Sequence, residues 1–505
     1  MGSSMRNFSR KHLWSALAAG TFAALSGYAC GDDSSSGTGA GSSDGTTTGQ
    51  GGSDTSSQTG TTGAFMGTGG MAPQCVNLEC QQVDCGGGGV TTTVSGTVYD
   101  PSGTLPLYNV VVYVPNATVD PIPDGLTCDQ CDAQLSGSPL VSAITDTQGH
   151  FVLENVPVGQ DIPLVMQIGK WRRQITIPAV TECVDNPLSD PQVTRLPRSS
   201  AEGNLPKIAL TTGSADPLFC LLRRLGIDDT EFGVEGSSAR IHFYRGANGS
   251  SQFDSGFGAS PGASFSNAPN TLWSNGWSNY DIVMMSCEGD ELPGSKNGHR
   301  VALRDYVDAG GRVFATHYHY NWFQGDAPAD LQSVASFTSA FTTFDDEVDI
   351  DTSFPKGQAL AEWLAFVDGS SAFGHFFVNE GRQHTLSVNQ MLARIWVTWA
   401  GKTEYFSFNA PIGAPEDQQC GRMVFSDIHV SSGAGNPSGS FPSACANTPL
   451  TEQEKVLLFM LFDLSACIIP DDDPPCPPGQ DSCGDADDPP CNGNCVMGCC
   501  QDVPQ

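Results

Sequence analysis

The chain has 505 residues, room for two or three folded domains, and a formal net charge of -32 from 23 Lys and Arg against 55 Asp and Glu. That balance argues against nucleic acid, whose phosphates need Lys and Arg, and against electrostatic docking on anionic lipid. It fits solubility outside a cell, or a bound divalent cation. The 18 cysteines are clustered at Cys75, Cys80 and Cys85, at Cys128 and Cys131, and from Cys476 onward. In an exported chain such clusters read as disulfides, in a reducing compartment as metal sites.

The N-terminus favours export. Arg6, Arg10 and Lys11 precede an apolar run from Leu13 to Leu25, too short to span a bilayer, so 1–29 reads as a signal peptide. The segment Leu25-Ser-Gly-Tyr-Ala-Cys30 resembles a bacterial lipobox, which implies acylation of Cys30, although Gly27 stands where that motif usually has Leu. The alternative is ordinary cleavage near Ala29 and a soluble secreted chain. Residues 30–73 then form a Ser/Gly/Thr-rich tether without a core-forming pattern. The expected location is the bacterial outer membrane or cell surface, reached through the lipid.

Residues 74–200 turn to period two. Thr91–Tyr99, Val110–Val114 and the run from Val141 through Leu153 read as short strands punctuated by Pro, Gly and Asp, which predicts an antiparallel sandwich. Asp146-Thr-Gln-Gly149 is a tight-turn sequence. The stretches SGTVYDPSGTLPLYNVVVYVP and ITDTQGHFVLENVPVGQDIPLVMQIGKWRRQITIP resemble the carboxypeptidase regulatory-like domain. The resemblance implies a transthyretin-like sandwich, related in shape to carbohydrate-binding modules, in an accessory role. No His-x-x-Glu zinc pair occurs in the chain, so active carboxypeptidase chemistry is not expected. Lys170-Trp171-Arg172-Arg173 is either a contact patch for sugar or an acidic partner, or a packing Trp171 with arginines paired locally. Cys128-x-x-Cys131 lies in an inter-strand insertion and suggests structural disulfides rather than a redox motif. With Cys75, Cys80, Cys85 and Cys183 it makes six, enough for three bridges within this region.

Residues 204–468 alternate strands with helices. Strands are expected at Lys207–Gly213, Arg240–Tyr244, Asp281–Ser286, Arg312–Thr316, Ile395–Trp399 and Met423–Ser426. Helices are expected at Leu218–Leu225, Gly298–Asp308 and Thr451–Cys467, the last with Thr451 as N-cap. The pattern predicts an α/β, doubly wound parallel sheet. The runs YDIVMMSCEGDE and ALRDYVDAGGRVFATHYHYNWF resemble class I glutamine amidotransferase-like proteins, especially the trehalose-utilisation-protein branch, which implies a flavodoxin-like topology. The departure is at the nucleophile. That family places a cysteine on the turn after the strand matching Arg312–Thr316, and this chain has His317-Tyr-His319. Glutamine hydrolysis through that cysteine is therefore not expected.

In open α/β sheets ligands bind beyond the carboxyl ends of the strands. There the sequence delivers Cys287, Glu288 and Asp290, then His317 and His319, then Asp427 and His429. Cys287, Glu288, His317 and His429 are the candidate catalytic groups. His317, His319, Asp427 and His429 are a candidate ligand set for zinc or manganese, with His-x-His expected on one face of a strand. Such an ion would activate water for hydrolysis. Tyr318, Tyr320 and Trp322, with Trp171, are candidates for a sugar platform or for packing. Cys420 and Cys445 flank a Gly/Ser-rich loop and are expected to bridge. In flavodoxin-like topology Cys220 and Cys467 would share a face and bridge too, leaving Cys287 as the free thiol.

The tail, 469–505, is acidic and Cys-rich, and cross-links would have to order it. The functions in play are non-catalytic binding of carbohydrate or a surface protein at the cell envelope, metal-assisted hydrolysis, and a structural role.

Overall fold

The computed structural model describes residues 75–476, apart from 88, 132–134 and 431, and the backbone of an antiparallel pair at 494–496 and 499–501. The signal peptide, Cys30, the tether and most of the tail lie outside the described residues. No helix among the described residues is long and apolar enough to cross a membrane. The structure is mostly β-sheet with some helices.

The first part forms short antiparallel strands, as expected. Strand β1 (Val94–Thr97) belongs to a two-stranded antiparallel sheet, while β2 (Val111–Pro115) and β3 (Pro139–Ile144) pair in a second sheet. Strand β4 (His150–Leu153) is the partner of β1 and buries Phe151 and Leu153 while exposing His150 and Val152. Strands β5 (Gly159–Ile168) and β6 (Trp171–Val180) complete the four-stranded antiparallel sheet, in the order β3-β2-β5-β6. The Asp146 turn forms as expected: its Oδ1 accepts from the backbone N–H of Gln148 and His150 at 2.9 and 2.8 Å, and Gly149 adopts φ 71°.

The second part is built on strand β7 (Ile208–Thr211), helix α1 (Leu218–Arg224), and strands β8 (Phe232–Val234), β9 (Ile241–Arg245), β10 (Ser266–Asn267) and β11 (Ile282–Met285). After them come the one-turn helix α2 (Pro293–Lys296), helix α3 (Arg300–Asp308), strand β12 (Arg312–Thr316) and the one-turn α4 (Ala329–Gln332). Strand β13 (Ala335–Ile350) is joined through helix α5 (Pro355–Phe366) to β14 (His375–Val388), and β15 (Arg394–Trp399), β16 (Lys402–Ala410), β17 (Gly421–Ser426) and helix α6 (Glu452–Ser465) end the fold. The sheet order is β10-β9-β7-β11-β12-β17-β16-β15-β13-β14, with β8 also on β9. From β10 to β17 all neighbours are parallel, and β9-β7-β11-β12-β17 is the order 2-1-3-4-5 in chain terms. Beyond β17 the pairing turns antiparallel. The expectation of a purely parallel sheet is thus corrected: β16 pairs with β17 and β15 with β16, and β13 and β14 extend that antiparallel half.

Helix α6 carries the expected Thr451 N-cap, here within a capping box, Thr451 Oγ1 accepting from the Glu454 N–H and Glu454 Oε2 accepting from the Thr451 N–H. It is buried on nearly every side. One side meets the mixed sheet; the other meets the first region, where Tyr108 stacks on Phe459 at 5.9 Å and Trp171 packs on Phe462 at 5.8 Å. The described residues belong to one compact unit, and one apolar cluster runs from Val94 to Ala466 across both regions, with a second inside the later region. The two regions that differ in sequence period share one core. The β5–β6 turn approaches α6 so closely that a Cβ at Gly169 would lie 1.8 Å from the Ser465 carbonyl oxygen.

The disulfides follow that packing and correct the expected pairings. Cys75–Cys80 and Cys85–Cys183 stay within the first region. Cys128 pairs with Cys420 and Cys131 with Cys467, so the 128–131 insertion staples the first region to the second instead of closing on its own strands. Cys445 pairs with Cys220, because the loop after β17 folds back over α1. Neither Cys420–Cys445 nor Cys220–Cys467 forms. Such bonds belong to an oxidising compartment. Non-reducing peptide mapping is expected to recover Cys128–Cys420 and Cys131–Cys467. A Trp171→Ala variant is expected to lose about 3–5 kcal/mol in denaturant unfolding, from the cavity left against Phe462.

Candidate metal centre

The carboxyl ends of β11, β12 and β17 meet at one point. Asp216, in the loop after β7, ties two of them together: its carboxylate accepts from Thr316 Oγ1 at 2.8 Å and from the Val430 N–H at 3.2 Å. Gly213 lets that loop pass β11, since a Cβ there would lie 2.0 Å from the Cys287 carbonyl oxygen.

Three side chains converge there. Cys287 Sγ lies 3.1 Å from His317 Nδ1, and the His317 and His429 rings are 4.7 Å apart. Their candidate donor atoms lie within 4.8 Å of one another, and all three residues are buried. Cys287 is the free cysteine among the described residues. His317 stands on the sharp turn after β12 with φ 46°, a left-handed conformation that a side-chain-bearing residue holds only when its surroundings impose it. This is the turn where the amidotransferase resemblance would put its cysteine.

The neighbours of that trio separate ligands from scaffolding. The Nε2 atoms of His317 and His429 are buried without any hydrogen-bond partner. Such atoms are costly unless something binds them. His319 differs: its Nε2 donates to the Ser286 carbonyl at 2.9 Å and its Nδ1 accepts from Trp322 Nε1 at 3.1 Å. Both ring nitrogens are used, so His319 is not a ligand. The strand expected to carry His-x-His has already ended, and 317–323 is a 3-10 helix that turns the two rings apart. Glu288 is likewise committed, in a buried ion pair with Lys296 at 2.6 Å and as acceptor from the Ala247 N–H. Asp290 is exposed. Asp427 Oδ2 accepts from the His384 and Thr385 N–H groups and Thr385 Oγ1, holding β14 against the end of β17, while its Oδ1 has no partner.

The expected aromatic platform is mostly interior. Trp171 and Trp322 are fully buried, Trp322 against Trp273 and Trp277. Tyr320 is buried and donates to Glu291 Oε1 at 2.5 Å. Tyr318 alone is half-buried at the mouth, beside exposed Phe341. The basic cluster around Trp171 is spent internally: Lys170 pairs with Asp281 at 2.7 Å, Arg172 donates to the Asp120 carbonyl, and Arg173 donates to carbonyls of 192–195.

Two groups lay outside the sequence reading. His384, on β14, is buried with its ring 4.6 Å from that of His317. Glu404, on β16 beside Asp427, has both carboxyl oxygens buried without a partner. Neither has a local signal, because each reaches the site through the antiparallel half of the sheet.

Electrostatics decide between two chemistries. Burial pushes the Cys287 thiol up to about 12. Burial, with His429 and His384 beside it, holds His317 well below the ordinary imidazole range, and burial lowers His429 to about 3. The pair is a neutral thiol against a neutral imidazole, not the thiolate–imidazolium of a cysteine hydrolase. Neutral imidazoles with free lone pairs, and a thiol that deprotonates on metal binding, are instead what a transition metal recognises. An N/S donor set suits zinc better than manganese.

No family model matches the chain, and no curated protein matches it. The solved structures found include the type II cohesin–X-dockerin complex of Acetivibrio cellulolyticus, in a C-terminal interface mutant, at 16% identity over 30% of this chain and 79% of that one, TM-score 0.15. The major pilin subunit of Bacillus cereus matches at 13% identity over 20% of this chain and 30% of that one, TM-score 0.13. At these TM-scores neither likeness carries an argument about fold or function.

Burial and the neighbouring Asp427 push Glu404 up to about 10, so it is protonated at neutral pH. A folded-state value above the unfolded one means that the native state binds the extra proton, so stability falls as pH rises from about 4.5 toward 10. The slope from this group is at most about 1.4 kcal/mol per pH unit. Glu404→Gln is expected to flatten that decline, measured by urea unfolding at pH 5, 7 and 9.

Proposed function

We propose that this is an exported metal-binding protein of the bacterial cell envelope, with a non-catalytic binding role. Cys287, His317 and His429 would hold a zinc-class ion where an amidotransferase relative would keep its nucleophile. The observation that carries the reading is the pair of buried, unpartnered Nε2 atoms on His317 and His429 beside the neutral thiol of Cys287. The remainder of the reading rests on the sequence: acylation at Cys30, a tether holding the folded unit off the membrane, a transthyretin-like sandwich, an amidotransferase-like α/β region, and carbohydrate or another surface protein as the macromolecular ligand.

Metal-assisted hydrolysis is the second reading. One feature favours it: the trio supplies three protein donors, the number a catalytic zinc site uses while keeping one position for water. Against it stands the burial of all three donors, with Cys287 0%, His317 2% and His429 4% exposed and the rings of Tyr318 and Phe341 packed on His317.

The full chain, secreted into an oxidising compartment, is the material to test, because two disulfides cross from the sandwich to the α/β region. Plasma mass spectrometry is expected to find near-stoichiometric zinc in the wild type and its loss in His317→Ala, with no turnover of glutamine or of p-nitrophenyl esters. Metal-free wild-type protein that still resists zinc loading would overturn the metal reading. Zinc-dependent ester turnover would move the assignment to the hydrolase.

A further inference from the structure

We infer that the cleft bounded by the 104–105 turn, the end of α1 and the loop leading into α6 is a second binding site. Its ligand is a small polar molecule carrying carboxylate or phosphate groups. The cleft contains none of Cys287, His317 and His429, so it goes beyond the metal reading and stands or falls separately from it.

Charge sets this cleft apart. The chain has 23 Lys and Arg against 55 Asp and Glu, yet Arg198, Arg223, Arg224 and Lys455 line the cleft against two carboxylates, Asp228 and Asp229. Both carboxylates are already engaged. Asp228 Oδ1 accepts from the Thr230 N–H at 2.9 Å and from its hydroxyl at 2.6 Å, and Asp229 accepts twice from Arg223. The lining therefore carries a positive excess in an acidic molecule, and a concave wall of one sign focuses its field on a ligand of the other. The cleft offers about 780 Å³, a volume ordinary for small-molecule sites.

The four cations are anchored without being used up. Arg198 donates Nε to the Gly226 carbonyl at 2.9 Å, and among the described residues its two terminal nitrogens have no partner. Arg223 spends Nε and Nη2 on Asp229, which leaves Nη1. Arg224 is held by Glu454 at 2.9 Å and by the carbonyls of Thr448 and Pro449, and its Nε is buried without a partner. Lys455 donates to the Val367 and Asp368 carbonyls at 2.6 and 3.0 Å, which leaves one of its three protons. Side chains fixed in this way lose little freedom when they close on an oxyanion. The walls are fixed too. Cys445 in the lining is bridged to Cys220 on α1, and a Cβ at Gly226 would lie 2.6 Å from Ser102 Cα. No aromatic side chain lines the cleft, so it lacks a platform for a neutral sugar face and recognition falls to charge-assisted hydrogen bonds.

Titration calorimetry on the full secreted chain tests the site with inorganic pyrophosphate, trigalacturonate and uncharged maltotriose. The first two probes separate phosphate from carboxylate. At least one of them is expected to bind, more weakly as salt rises, and maltotriose is not. Arg198→Ala and Thr104→Glu, both at exposed positions, are each expected to weaken that binding by at least about tenfold. Arg245→Ala removes an exposed arginine outside the cleft and is expected to leave the affinity unchanged. All three variants are expected to keep the wild-type zinc content, so failure of the metal site and failure of this one are read separately. Binding of neither anion overturns the assignment. So does maltotriose binding as tightly as the anions, or anion binding that Arg198→Ala and Thr104→Glu weaken no more than Arg245→Ala does.

Discussion

The burial of α6 between two layers is the constraint on which the rest of the structure depends. Its inner side packs on the parallel strands, its outer side receives Tyr108 and Trp171, and its Asp463 is held in the core by Lys356 at 3.0 Å and Arg422 at 3.1 Å. Burial alone would raise the Asp463 pKa, yet those two cations hold it below the usual carboxylate value. A buried charge of this kind is tolerable only while its partners stay in place. Lys356 comes from α5 and Arg422 from β17, and Arg422 also bonds Asp471 at the start of the tail. The helix therefore joins the sandwich, both halves of the sheet and the chain's exit into one body. The two long-range disulfides at Cys128 and Cys131 reinforce the same seam.

That body explains why the strand ends are so well ordered as a site. Asp216, Thr316 and the Val430 amide lock the ends of β7, β12 and β17 together, and Asp427 binds β14 to the same place. The sharp turn after β12 holds buried His317 in a left-handed conformation. Exposed and acidic on its surface, the molecule keeps its concentration of neutral imidazoles inside. Burial pushes the Cys287 thiol up and the His317 imidazole down, so each is held in its neutral form.

Much of this was legible in the sequence, for local reasons. Arg312–Thr316 is a strand as read, Leu218 opens a helix, and Thr451 caps α6, since apolar runs, glycine stops and capping residues act over short range. The convergence of Cys287, His317 and His429 followed from the rule that parallel strands end on one side. His319 was misread because the chain leaves the strand at His317, so two-residue spacing no longer means one face. His384, Glu404 and the partners of Cys128, Cys131 and Cys220 were not legible. His384 and Glu404 reach the site through the antiparallel extension, and the three disulfides join residues 225 to 336 apart, contacts for which no periodicity speaks. Trp171 and Trp322 looked available to a ligand only because an aromatic residue carries no mark of which side it faces.

The central claim is that a metal sits among Cys287, His317 and His429. Anomalous diffraction from crystals of the secreted full chain, collected on both sides of the zinc absorption edge, tests it most directly. The account expects a single strong difference peak between these three side chains. Well-ordered side chains with no peak there, in crystals grown with zinc, would contradict it.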